Sequence, residues 1–166
     1  MKLQIDNLEF HYDCFYVQSR SIVEKIVFNN RTLYSKFEKQ KGELTPFLLK
    51  QHSNNEINLA LPLIEKEMVN YFVIEYVQED WKNFYALLQH LFKSLNIQEY
   101  TAYKNEKKEL LQVFISKKST PLDLAYKEIE DIKHLLSLKS KKSYKIFPNL
   151  NLPKNYNIIS LPTQKI

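Results

Sequence analysis

Apolar positions fall into two rhythms along this chain. Leu8–Val17 alternates in part and is rich in aromatic residues, which predicts a first strand. From Ser19 the spacing lengthens. Ile22, Ile26, Leu33 and Phe37, flanked by Val23, Val27, Asn30 and Tyr34, form a stripe that predicts a helix ending at Gly42. Thr45-Pro46 then opens a short second helix, with proline in its first turn. Ile57–Leu63 and Val69–Val77 are apolar runs of strand length. They read as neighbouring strands joined by the polar turn Glu65-Lys66-Glu67.

Asp80 caps the strongest helical pattern, in which Trp81, Phe84, Leu88, Leu91, Phe92 and Leu95 recur at steps of three and four. Two strands follow, Ile97–Tyr103 and Leu110–Ser116, around the charged turn Lys104–Lys108. Thr120-Pro121-Leu122-Asp123 carries an N-cap, a proline at N1 and a carboxylate at N3. The stripe behind it is Leu122, Tyr126, Ile129, Ile132 and Leu136. A basic loop, Ser137–Lys145, leads to short strands at Tyr144–Phe147 and Ile158–Leu161. The expected order is β-α-α-β-β-α-β-β-α-β-β. It implies an α+β fold with one mixed sheet and flanking helices, in a single domain. Residues 1–54 form a helical N-terminal part and residues 55–166 the core.

Composition removes several functions. The 166 residues include one glycine, Gly42, too few for a Walker A loop, a GxGxxG turn or a nucleophile elbow. Cys14 is the only cysteine, so neither an internal disulfide nor a CxxC zinc site is available. No apolar run reaches membrane-spanning length, and Met1–Asp6 lacks the apolar stretch of a signal peptide. The expected setting is the cytoplasm, with no membrane partner. His11, Asp13 and Cys14 alternate across a strand, which shows at most two of them to one ion. No metal or other cofactor is expected. His52, His90 and His134 are isolated and read as surface or helix-face residues. Glu65, Glu67, Glu106 and Glu109 read as solvated turn carboxylates.

Charge is uneven. The formal net charge is +5; residues 104–166 carry a net +7 and residues 1–103 a net −2. Of the cations only Arg20 and Arg31 are arginine. Specific phosphate clamps favour arginine, whose planar fork donates paired hydrogen bonds, so part of the lysine excess is plain composition drift. Lys139, Lys141, Lys142 and Lys145, with Tyr144 able to stack on a base, make the densest basic segment and the candidate nucleic-acid contact. Tyr100 and Tyr103 are a second stacking candidate, depending on which sheet face is covered.

One resemblance spans the later part of the chain. Leu61-Pro62-Leu63, then Phe72–Val77, then Asp80-Trp81 resembles the first motif region of the primase–polymerase (archaeo-eukaryotic primase) superfamily. There an apolar strand ends in a D-x-D pair before a helix. Tyr103–Ser116 is similar to the family's next hairpin, which normally carries a histidine. Phe147-Pro148-Asn149-Leu150-Asn151, followed by Ile158–Pro162, is similar to the third region, which in one bacterial branch reads F-P-N-Q-D. The resemblance covers residues 55–166 and extends to a small uncharacterised bacterial family thought to share that fold. It implies a fold used for two-metal phosphoryl transfer. The acids that would hold the metals are largely replaced. Glu75 keeps one, Val77 stands where the second belongs, and Asn151 stands for the third. The resemblance therefore implies a non-catalytic module that binds DNA or RNA weakly. The alternative is a protein-interaction or scaffolding subunit.

Overall fold

The region from residue 19 to residue 41 is not helical. It forms three strands, and a pair of asparagines decides this. Asn29 and Asn30 both take positive φ, 51° and 60°, which makes the two-residue turn of a hairpin. The residues on either side, Glu24–Phe28 and Arg31–Ser35, are β-branched and aromatic enough to pair across it. With only one glycine in the chain, left-handed turn positions fall to other residues. Of the nine non-glycine positions with positive φ, five are Asn or Asp, whose short polar side chains tolerate that conformation best.

The structure, a computed structural model, describes all residues from 1 to 166. In chain order the elements are β1 (Lys2–Ile5), β2 (Leu8–His11), β3 (Cys14–Gln18), β4 (Glu24–Phe28), β5 (Arg31–Ser35), β6 (Phe37–Lys41), α1 (Pro46–Ser53), β7 (Leu59–Pro62), β8 (Ile64–Glu65), β9 (Met68–Tyr76), α2 (Trp81–Ser94), β10 (Tyr100–Asn105), β11 (Leu110–Pro121), α3 (Leu122–Lys139), β12 (Lys145–Phe147), β13 (Ile158–Ser160) and β14 (Gln164–Lys165). The chain is α+β, as expected. It divides into two compact units: residues 1–65 with 150–161, and residues 66–149 with 162–166.

The first unit holds a four-stranded antiparallel sheet in the order β13-β7-β3-β6, with β1-β2 and β4-β5 as separate hairpins. Tyr12, Phe15, Leu44, Leu59, Leu61 and Leu161 are its buried core, with Leu48 and Leu49 of α1 packed against them. Thr45 caps α1 through its hydroxyl, which accepts from the Leu48 N–H. The expected pairing of the strands near 60 and 70 does not occur, because β7 lies between β13 and β3.

The second unit runs β9-α2-β10-β11-α3-β12, the split-βαβ order. Its antiparallel sheet is ordered β12-β9-β11-β10, with β14 added at the β10 edge. Both helices lie over one face. Phe84 stacks on Tyr76 at 4.1 Å between ring centres, Phe92 meets Tyr100 at 4.8 Å, and Lys117 of β11 pairs with Glu128 of α3. The stripe of α3 buries Leu122, Ala125, Ile129, Ile132 and Leu136; Tyr126, expected there, is only partly covered. That helix starts one residue late, because Thr120 is still paired with Val69 in the sheet and Pro121 occupies the cap position.

Candidate nucleic-acid interface

The first turn of α2 organises the surface around it. The Asp80 carbonyl accepts from the N–H groups of Asn83 and Phe84, at 3.0 and 3.2 Å. The Asp80 carboxylate does not cap the helix as expected. It accepts from the Tyr76 hydroxyl and forms an ion pair with Lys142. Tyr144 comes within 5.9 Å of Phe84, ring centre to ring centre. Two contacts therefore pin the basic loop after α3 along the start of α2.

Trp81 sits at that start and is half-exposed, although the stripe pattern placed it in the core. The Lys104 and Lys82 ammonium groups lie 5.3 and 5.6 Å from its ring centre, within cation–π range. Lys104 was expected in a solvated turn. It belongs instead to β10 and is only 3% exposed. Its long stem crosses the helix-covered face of the sheet and delivers the charge to the indole.

The five predicted contact residues divide. Lys139 and Lys141 are exposed and make no ion pair. Lys142 is engaged by Asp80. Burial against Phe84 and the nearby Glu130 charge push the Tyr144 hydroxyl above its usual range. Lys145 stands opposite Glu75 in the β12–β9 pairing and acts on its carboxylate. The second stacking candidate is overturned. Tyr103 is 1% exposed, and Tyr100 packs on Phe92. Neither offers a face to a base.

The positions that the resemblance set against metal ligands hold different chemistry. Glu75 lies in a row across the sheet, Lys165-Tyr103-Gln112-Glu75-Lys145, on the face away from the helices. Gln112 Nε2 donates to Glu75 Oε2 at 2.8 Å. Burial raises the Glu75 carboxyl above the usual carboxylate range, while Gln112 and Lys145 pull it back. Val77 is 54% exposed and borders an open depression of about 640 Å³ with Glu79, Asp80, Glu109 and Lys142. Asn151 belongs to the first unit, where its backbone carbonyl accepts from Arg31 at 2.7 Å.

Nowhere do three His, Cys, Asp or Glu side chains gather closely enough to hold a metal ion. His11 is taken by Glu9, at 2.7 Å. His90 and His134 are exposed, as expected. His52 is not. It is buried, its Nδ1 accepts from the Leu59 N–H at 3.0 Å, and Nε2 reaches the Leu161 carbonyl at 2.8 Å. An Nδ1 that accepts places the proton on Nε2, so the ring is neutral and donates to Leu161. No helix is long and apolar enough to cross a membrane.

A search of curated proteins finds no match for this chain. A family model described as a domain of unknown function, DUF1882, matches residues 1–70, the stretch that builds most of the first unit.

Proposed function

We propose that this chain is a non-catalytic, primase–polymerase-like module that binds single-stranded DNA or RNA along the first turn of α2. The observation that carries the reading is Trp81, a half-exposed indole beside two ammonium groups, with the Lys139–Lys145 loop pinned next to it. Stacking of bases on an aromatic ring, combined with lysines that follow the phosphates, is how sequence-tolerant single-strand binding works. The split-βαβ sheet supports the fold part of the reading. The loss of catalysis is supported by the company Glu75 keeps: Gln112 turns its amide NH2 rather than its oxygen to the carboxylate, and Lys145 stands opposite, where a divalent cation needs oxygen donors.

Trp81 is the only tryptophan, so its emission reports on this surface alone. Titration with oligothymidylate and oligouridylate of about 12 nucleotides should quench it. Affinity should fall with salt at a log–log slope of about 0.7 per phosphate contacted. Lys139→Glu with Lys141→Glu should weaken binding about tenfold or more and leave the fold intact, because both side chains are exposed and unpaired. Unchanged emission at saturating oligonucleotide, or full affinity in the double variant, overturns the reading.

A further inference from the structure

We infer that the β4–β5 ribbon is a second nucleic-acid contact, one that enters the major groove of double-stranded B-form DNA. The inference rests on the nucleic-acid reading but not on the α2 surface.

The β4 and β5 strands pair only with each other, so they form a free-standing two-stranded ribbon. Five residues per strand give it a length of about 17 Å. Alternation sorts its side chains. Ile26, Phe28 and Leu33 share the half-buried face, where Arg31 is tied to Asn151. Lys25, Val27, Thr32 and Tyr34 share the other face, and all four are exposed, Val27 at 75%. Glu24, the ribbon's one carboxylate, lies on the half-buried side. The outer face is thus free of negative charge. It carries an aromatic ring with a lysine ammonium 5.9 Å from its centre.

Charge identifies the occupant. The segment from residue 19 to residue 41 carries Arg20, Lys25, Arg31, Lys36, Lys39 and Lys41 against Glu24 and Glu38, and all six cations are exposed. The rest of the first unit has the opposite sign, with Lys2, Lys50 and Lys154 against Asp6, Glu9, Asp13, Glu43, Glu56 and Glu65. Composition drift would spread lysine over the whole unit. Here the cations, both arginines included, concentrate on the ribbon and its flanks. A polyanion is the matching partner. The B-DNA major groove, about 12 Å wide, admits a two-stranded ribbon, with phosphates on both walls to meet flanking cations. The A-form RNA major groove is deep and narrow and does not admit it.

Three proteins separate the possibilities: the parent chain, Arg20→Glu/Lys25→Glu/Lys36→Glu, and the neutral pair Lys25→Gln/Lys36→Gln as a milder control of folding. Anisotropy of a labelled DNA duplex of about 16 base pairs, and of the RNA duplex of the same sequence, is read across salt. The parent should bind the DNA duplex more tightly than the RNA duplex. The triple variant should bind tenfold or more weakly, and its salt slope should drop by about 0.9 for each phosphate it no longer neutralises. The neutral pair should show a smaller loss of the same kind. Equal binding of the two duplexes, or a triple variant that binds DNA as the parent does, overturns the inference. So does a triple variant that changes the sedimenting mass of the free protein while binding duplex unchanged, which would make the ribbon an interface between copies. Quenching of Trp81 by single strands alongside unchanged duplex affinity in the triple variant removes the ribbon alone. Ribbon-dependent duplex binding without any Trp81 response removes the α2 site alone.

Discussion

The two units bury polar side chains by different routes. In the first, buried polar groups serve the backbone: the Tyr12 hydroxyl accepts from the Leu44 N–H, and the His52 ring bridges Leu59 to Leu161. In the second, Asn105 likewise accepts from the Lys108 N–H, but the sheet also sets polar side chains against one another. Glu75 is held by Gln112 and faces Lys145, and Lys104 rests on Trp81. The first arrangement fixes where loops and strands meet. The second leaves charged groups on a sheet whose stability comes from apolar packing. The comparison predicts that truncating apolar groups hurts the second unit most, that the first depends on its histidine, and that the buried acid of the second is dispensable.

The largest effect should come from Phe84→Ala. Phe84 is buried between Tyr76 and Tyr144 and anchors α2 on the sheet. A loss of about 3–5 kcal/mol is expected from urea unfolding, with a shift in Trp81 emission as the first turn of α2 loosens. A loss below about 1 kcal/mol would mean that α2 is held from elsewhere. Val27→Ala on the exposed ribbon should stay within about 0.5 kcal/mol and serves as the contrast.

His52→Ala comes next. It removes two hydrogen bonds at once and strands a buried N–H and a buried carbonyl. About 2–4 kcal/mol is expected, with hydrogen exchange quickening at the Leu59 amide first. If the Leu59 amide keeps its protection, the ring is not what holds it and the contrast between the units fails.

What was legible follows the same division. The core of α2 could be read because Phe84, Leu88, Leu91 and Phe92 repeat at helical spacing and nothing competes with that pattern. The order β-α-β-β-α-β from residue 68 to residue 147 was legible for the same reason. The ribbon was not. Ile22, Ile26, Leu33 and Phe37 satisfy a helical stripe, while Ile26 with Phe28 and Leu33 with Ser35 satisfy alternation equally well; only the Asn29-Asn30 turn chemistry separates the two. The basic loop was legible as composition, but its pairing was not, since nothing local links Lys142 to Asp80 or Lys145 to Glu75. Trp81 escaped because it is the outermost position of its stripe, where an apolar residue overhangs solvent. Lys104 escaped because a charge in a polar run reads as a turn, and its reach to the indole is a property of the folded sheet.

The smallest effect sharpens the comparison most, because its sign is opposite. Glu75 titrates higher in the folded chain than in the unfolded one, chiefly through burial. Between those two values the folded state binds more protons, so stability falls as pH rises through that window. Above it, the ionised carboxylate costs stability; below the ordinary carboxylate range the cost is absent. Glu75→Gln removes the titration and keeps an oxygen to accept from Gln112. At pH 7 the variant should be the more stable protein by about 1 kcal/mol or less, since Glu75 is not fully removed from water and Lys145 gives up its counter-charge. The gain should shrink to nothing as the pH is lowered, in paired urea titrations at several pH values. A variant that is less stable at pH 7 would mean that the Lys145 pairing outweighs burial. The acid would then be part of what holds the sheet, and the two units would depend on their buried polar groups alike.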